Sequence, residues 1–560
     1  MQNLESFKGK SFRKKLVWGF SVITFISFFG FVYPTKDIYF EIAKNIDIFT
    51  RVYKEISFNY VDKIDPEKFI RAGIKGMLST LDPYTNFIDE KKQEDFEILT
   101  NGKYGGIGVS IGVKENQITI LELMDGYAAQ RQGLRIGDVI IEVNGKKVFP
   151  DKFDEISSLV KGEPGTFLGL RILRETEKDT LNFNLMREQI VIKNLPFYGF
   201  YPEDSNTAYF KLNTFGRSLG DELKKAILEL AKQKEIKSVV LDLRGNPGGL
   251  LDVAVDVVNK FIPKGQLVVT TKGRDSSSIK SYYSQQEPLL ANVNLVLLIN
   301  EGSASASEIV AGAIQDHDRG LIIGTKSFGK GLVQTITPLS YNTSLKITSA
   351  KYFTPSGRCI QKIDYGKKND VIAEYDTLIE SAFATDHKRK VLSSGGITPD
   401  SVIQDEKLSS FVQDLLAKGF LFKYANIFYD ANPKETFEKM KDEKIISDFQ
   451  IFLEKENYKY QSEFEKKLKE LITISENDKT TSSIKGKVLA LQKDSEAALP
   501  KLLENDKRDI LDLLKEELAS RYFGLTGRIK ASLDTDLQFQ VGLRLLLDQK
   551  YYNNFLQRRN

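Results

Sequence analysis

At 560 residues the chain is too long for a single core and is expected to divide into three or four domains. Hydrophobic residues at 41% and charged residues at 28% fit folded, mostly soluble protein, and a net charge of +4 (80 basic against 76 acidic residues) gives no nucleic-acid footprint. A single cysteine, Cys359, excludes an intramolecular disulfide and a Cys-rich metal centre, and only two histidines, His317 and His387, leave little room for histidine chemistry.

In chain order, Lys8, Lys10, Arg13, Lys14 and Lys15 precede an uncharged apolar run from Leu16 to Tyr33. This is the pattern of an export signal, and no small-residue cleavage site follows it. Residues 1–36 are therefore expected to be an export signal or membrane anchor. An uncleaved inner-membrane anchor is favoured over a cleaved signal that would leave a soluble periplasmic protein, with the rest of the chain on the periplasmic side in either case. From Asp37 to Glu97 apolar residues such as Ile42, Ile46, Phe49, Val52 and Ile56 recur at helical spacing, until Leu81-Asp82-Pro83 breaks the pattern.

From Tyr104 the texture changes to short strands and turns: VSIG, QITILEL, DVIIEVNG, a helix in PDKFDEISSLVKG, then TFLGLRIL and TLNFNL. Asn144-Gly145 is a tight-turn signal. Residues 98–188 thus read as one β-rich module. Residues 189–404 read as α/β: strand AYFKL, helix SLGDELKKAILELAKQK, strand SVVLDL, the turn RGNPGG, helix LLDVAVDVVNKFI, then strands LVVTT, LVLLIN, LIIG and SLKITSAKYFT. Strands separated by helices imply a largely parallel or mixed sheet. Residues 405–560 are rich in Lys and Glu and read as helical.

Ser303-Ala304-Ser305-Ala306-Ser307-Glu308 lies between strand LVLLIN and helix EIVAGAIQ. A serine at a strand-to-helix turn meets free backbone N–H groups and the positive end of a helix, which suit a nucleophile and its oxyanion. Ser305 with Glu308 is equally the pattern of a capping box, which needs no function. His317 would fall about 18 Å along the same helix, beyond reach of Ser305, and His387 lies in the charged stretch DHKRK. A lysine held neutral by burial is the alternative base, and Lys330 stands in SFGKGLVQ between glycines. Gly324 to Lys330 also mimics a P-loop. Gly331 occupies the position of its hydroxyl residue, and a strand-like LVQTIT follows where a helix would be required.

The combination NEGSASASEIVAGAIQDHDRG and GTKSFGKGLVQ, with DLRGNPGG upstream and TPSGR and GGITPD downstream, resembles the carboxy-terminal processing (tail-specific) proteases, a Ser/Lys peptidase family. The resemblance implies Ser305 as nucleophile, Lys330 as general base and Gln334, one helical turn further, as its support. It implies an oxyanion hole from the N–H groups of Ala306 and of Gly248 or Gly249. The β-rich module resembles the family's PDZ domain, with Tyr104, Gly105, Gly106, Ile107 and Gly108 as the loop that captures a substrate's C-terminal carboxylate. The fold implied is a crotonase-like α/β catalytic core with an inserted PDZ domain and helical segments at both ends. Two departures, Tyr84 after Leu81-Asp82-Pro83 and Cys359 in TPSGRCIQ, are expected to lie away from the catalytic set.

The resemblance thus predicts a serine endopeptidase that needs no metal or cofactor and acts on exported polypeptides through their C-termini. A homo-oligomer or an adaptor protein is a further candidate partner; nucleic acid is not. Two competing classes are a non-catalytic PDZ adaptor and an acyl-CoA enzyme on the same core. The intact Ser305, Lys330 and Gln334 set argues against the first, and the PDZ module with the Ser/Lys pair against the second.

Overall fold

The computed structural model describes residues 38–90, 102–363, 365, 381–393, 395–404, 406–432, 434–477, 485–495 and 499–557. The expected export signal or anchor lies outside the described residues. Among those described, no helix is long and apolar enough to cross a membrane.

The chain forms two compact units, residues 1–81 and 82–560. In the first, α1 (Ile38–Asn59) and α2 (Pro66–Leu78) carry the expected periodicity. Asp65 caps α2, accepting from the N–H groups of Glu67 and Lys68 at 3.0 and 3.2 Å, with Pro66 at the first position. Tyr53 and Phe69 stack across the pair at 5.8 Å.

The helical expectation through Glu97 fails at β1 (Asn86–Ile88). The Asp82 carboxylate accepts from the N–H groups of Tyr84 and Thr85, forming a turn that delivers the next residues to a sheet edge. There β1 pairs antiparallel with the later strand Ser344–Phe353. A strand gains partners that a three-residue helical remnant after a proline would lack.

The β-rich module begins with β2 (Lys103–Gly106), β3 (Val109–Lys114), β4 (Gln117–Leu123) and β5 (Val139–Val143). It continues with α3 (Phe153–Val160), β6 (Phe167–Leu173), β7 (Leu181–Met186) and β8 (Glu188–Val191). In β6 Leu168, Leu170 and Ile172 are buried and the residues between are not, which is the period-two pattern of a half-covered strand. Asn144 and Gly145 both take positive φ, 50° and 76°, as a tight hairpin demands. The sheet order β3-β4-β5-β6-β7 leaves β3 at an edge, while β2 pairs with β8.

The core follows: β9 (Phe197–Phe200), β10 (Thr207–Lys211), α4 (Leu219–Gln233), β11 (Ser238–Asp242), α5 (Leu251–Val258), β12 (Leu267–Gly273), β13 (Lys280–Tyr283) and β14 (Asn294–Ile299). Then come α6 (Ala306–Asp316), β15 (Leu321–Gly324), β16 (Leu332–Pro338), β17 (Ser344–Phe353) and β18 (Ser401–Val402). The main sheet runs β9-β10-β11-β14-β15-β18, parallel from β10 onward. Its central strands are apolar on both faces because both are covered. Val239, Leu241, Leu295 and Leu297 face α4, α5 and α6; Val240, Val296, Leu298 and Ile323 face the other way. A second sheet holds β1-β17-β12-β13, with β16 also on β17.

The helical C-terminal region builds its own core from residues such as Phe411, Leu421, Phe449 and Leu514, and includes α7 (Phe420–Ala431) and α8 (Lys507–Thr535). Its last part returns to the main sheet of the core. Phe539, Leu543 and Leu546 of α9 (Leu537–Leu547) cover the second face of β11, β14 and β15.

Candidate active site

Three loops meet where the parallel strands β11, β14 and β15 end at their C-terminal edge, the usual place for a site in such a sheet. They carry Gly245 to Gly249, Asn300 to Ser305, and Thr325 to Gly331.

The three serines of SASAS have different fates. Ser303 and Ser307 are fully buried, their hydroxyls donating to the carbonyls of Leu243 (2.8 Å) and Asn246 (2.9 Å). They weld the loop after β14 to the loop after β11. Ser305 is half-buried and takes φ +57°, ψ −112°, a region that a side chain other than glycine occupies only when its surroundings force it. The carboxylate of Glu308 accepts the Ser305 N–H at 2.8 Å, the backbone arm of the capping box.

Glu308 does more than cap. Its buried carboxylate also accepts the Ser327 hydroxyl (2.6 Å) and the N–H groups of Gly329 (2.7 Å) and Lys330 (2.9 Å). One carboxylate therefore fixes both the Ser305 turn and the Lys330 loop. Burial holds its pKa above the usual carboxylate value, against the downward pull of the four donors. Tyr352 adds a second tie, its hydroxyl lying against the carbonyls of Ser305 and Lys330. The sequence marked Glu308 only as a cap, and gave no signal for Tyr352.

Lys330 is half-buried, and among the described residues its ammonium nitrogen has no hydrogen-bond partner. Burial, then the neighbouring Lys346, lower its pKa to about 8, against the opposing pull of Glu308 and Asp82. Its nitrogen sits 4.6 Å from the centre of the Tyr84 ring. Tyr84 therefore does touch the expected catalytic set, contrary to the sequence expectation. The Asp82 turn and the pairing of β1 with β17 carry it there.

Gln334 is not a helical turn beyond Lys330 but on strand β16, at a register shift against β17. Its amide N–H groups donate to the Leu332 carbonyl (3.4 Å) and the Thr348 hydroxyl (3.3 Å), and among the described residues no hydrogen bond joins it to Lys330.

The glycine turn sits against the serine: a Cβ on Gly248 would stand 2.9 Å from both Ser305 Cβ and Ala306 N. The Gly248 N–H is spent on Asn246 Oδ1 at 2.9 Å, and its carbonyl takes the Phe215 N–H. Among the described residues the N–H groups of Gly249 and Ala306 have no acceptor. Of the two glycines, Gly249 is the one with a donor to offer.

Both histidines lie at the far end of α6 from Ser305. His317 caps the C-terminus of α6 and is held by Asp386 (2.8 Å) and the Leu267 carbonyl (2.7 Å), while His387 faces the Leu556 carbonyl at 2.9 Å.

In the β-rich module the loop expected to bind carboxylate is part strand: Tyr104, Gly105 and Gly106 lie in β2, paired with β8. Ile107 is buried and Gly108 turns at φ +80°, where a Cβ would strike Tyr127 at 2.4 Å. The turn leads into β3, an edge strand with α3 beside it.

Against known proteins, residues 206–373 match the model of peptidase family S41 and residues 119–174 that of the PDZ domain. Residues 35–92 match the activating protease CtpB N-terminal domain, and 411–546 the probable PDZ-protease C-terminal helical domain. A carboxy-terminal-processing protease of Bartonella bacilliformis is 37% identical over 342 residues, covering 60% of this chain and 76% of that one. A probable CtpA-like serine protease of Staphylococcus aureus is 36% identical over 318 residues, covering 56% of this chain and 62% of its own length. Among solved structures, a photosystem II D1 C-terminal processing protease is 26% identical over 65% of this chain and 94% of its own, with a TM-score of 0.35. The family models and the relatives define a serine-type peptidase. The chain belongs to the carboxy-terminal-processing proteases of peptidase family S41.

Proposed function

We propose that this peptidase cleaves exported polypeptides with Ser305 and Lys330, selecting them by their C-termini. The observation that carries the reading is Glu308, which binds the main-chain N–H groups of both residues. Neutral Lys330 takes the Ser305 proton as Oγ attacks the peptide carbonyl, and the N–H groups of Ala306 and Gly249 hold the oxyanion. The lysine then gives the proton to the leaving amine as the C–N bond breaks. Water, deprotonated by neutral Lys330, then attacks the acyl carbonyl, and the lysine returns that proton to Ser305 Oγ as the acyl–Oγ bond breaks. A substrate's last residues add as a strand to the open edge of β3 beside α3, with the carboxylate on the turn at Ile107 and Gly108. The basic and apolar N-terminal segment tethers the enzyme to the inner membrane, facing the periplasm.

The test is cleavage of an unfolded protein by purified variants, with circular dichroism confirming the fold. Ser305→Ala should be inactive. Lys330→Arg cannot lose a proton near neutrality and should lose about 10²–10⁴-fold. His317→Ala and His387→Ala should keep the wild-type pH profile, in which kcat/KM rises with a midpoint near pH 8 and levels off above it as Lys330 becomes neutral. Substantial turnover by Lys330→Arg would end the assignment. Amidating substrate C-termini should slow cleavage, and carbonate extraction should leave the protein in the membrane fraction.

A further inference from the structure

We propose that Tyr84 is a positioning residue of the peptidase reaction: its ring screens the Lys330 amine from water and sets the pH at which the enzyme switches on. This rests on Lys330 being the base.

The ring is held from several sides. Its own N–H and that of Thr85 bind the Asp82 carboxylate at 2.9 and 3.0 Å, and the Thr85 hydroxyl reaches the same carboxylate at 3.0 Å. The Thr348 N–H of β17 donates to the Thr85 hydroxyl at 3.2 Å. Tyr365 meets the ring edge-on at 6.1 Å and bonds its hydroxyl. Tyr84 is thus a fixed plate over the Lys330 nitrogen, carried there by the turn that leads into β1 of the second sheet.

A ring face attracts an ammonium ion, and this favours the charged form. It also occupies space in which water would solvate that ion far better, and this favours the neutral form. The second effect wins here, because burial is the largest influence on Lys330 and acts downward. The charged and titratable groups around the amine are Lys346 on β17, Glu308 on α6, Asp82 and Tyr84 on the turn, Tyr352 on β17, and Tyr365 beyond it. Lys346 assists the neutral form; Glu308 and Asp82 oppose it. Opening the site beside Tyr84 leaves Lys346, Glu308 and Asp82 in place; it removes the ring's attraction and admits water, and water solvates the ammonium the better of the two.

The experiment compares wild type with Tyr84→Phe, which keeps the ring, and Tyr84→Ala, which removes it. The wild-type rise in kcat/KM is expected near pH 8, and Tyr84→Phe should match it. Tyr84→Ala should move the rise up by about one pH unit or more, costing about tenfold at pH 7 and recovering at high pH. Tyr84→Gln, polar and closer in volume, carries the same expectation should the alanine variant misfold. Independently of turnover, competitive acetylation of Lys330 across pH in the Ser305→Ala background reads the fraction of neutral amine by mass spectrometry. Its midpoint should rise in Tyr84→Ala and stay put in Tyr84→Phe. An unchanged midpoint in both open variants overturns the proposal. Activity in Lys330→Arg would instead overturn the base assignment, and the acetylation result would stand apart from it.

Discussion

Two glycine-bearing loops of this protein, Gly245 to Gly249 in the core and Tyr104 to Gly108 in the PDZ module, are built to opposite ends. The core loop is braced from all sides. Asn246 holds its Gly248 N–H and the Leu212 carbonyl, and Thr214 reaches the Gly248 carbonyl. Arg244 at its start is clamped between Asp242 (2.7 Å) and Asp536 of the C-terminal region (2.5 Å). The PDZ loop is fixed within its module, but the module meets the helical region through side chains with polar, partly exposed ends. Arg135 and Thr176 share Asp430, Glu175 pairs with Lys423 at 3.0 Å, and Lys114 sits on the Phe422 ring at 3.5 Å. Donors for an oxyanion must not move when charge develops, so they are preorganised. Under the proposed function, a module that captures chain ends needs only to be held near.

The difference predicts graded effects. Glu308→Ala would leave three backbone N–H groups and the Ser327 hydroxyl without their acceptor. Each such loss costs about 1–3 kcal/mol when buried, so thermal denaturation should show a large drop in stability. Glu308→Gln, which keeps the shape, should fold and still lose at least about a hundredfold in kcat through misplacement of serine and lysine. Near-native kcat in that variant would break the idea of a shared anchor. A smaller loss is expected for Asn246→Ala, which frees the Gly248 N–H and relaxes the turn. Its kcat should fall about 10–100-fold with KM nearly unchanged, since a hole for the oxyanion acts mainly in the transition state.

Much of this was legible from the residues, and the exceptions have physical causes. The strands of the main sheet read directly because apolar runs such as LVLLIN are buried on both faces. The alternation in FLGLRIL was equally plain. The strand Asn86–Ile88 was not, because its pairing partner lies at Ser344–Lys346, far along the chain. The same distance hid Tyr84 beside Lys330. Glu308 was visible as a cap because capping is local; its bonds to Ser327, Gly329 and Lys330 are not. Gly248 and Gly249 could not be told apart until Asn246 was seen to use the donor of the first. The second face of the core sheet is supplied by α9, which nothing in its apolar spacing ties to strands more than two hundred residues earlier.

The smallest effect belongs to the hold on the PDZ module. Asp430 accepts from Arg135 and from Thr176 (2.6 Å), so Asp430→Ala removes two contacts at once. The Arg135 side chain is 40% exposed, and a pair open to that degree contributes at most about 1 kcal/mol. Cleavage of a full-length substrate with a free C-terminus should therefore change less than about fivefold, in whichever direction the freed module affects delivery. A short peptide too small to engage the module should be cut at the wild-type rate. The difference between wild type and variant should shrink as salt is raised from low ionic strength, because partly exposed charges are screened. Hydrogen exchange should report faster opening around Arg135 and Thr176 while the Gly245 to Gly249 loop stays protected. A loss of hundredfold or more with the short peptide would mean that this contact reaches the chemistry, and the separation between a rigid core loop and a loosely held PDZ module would fall.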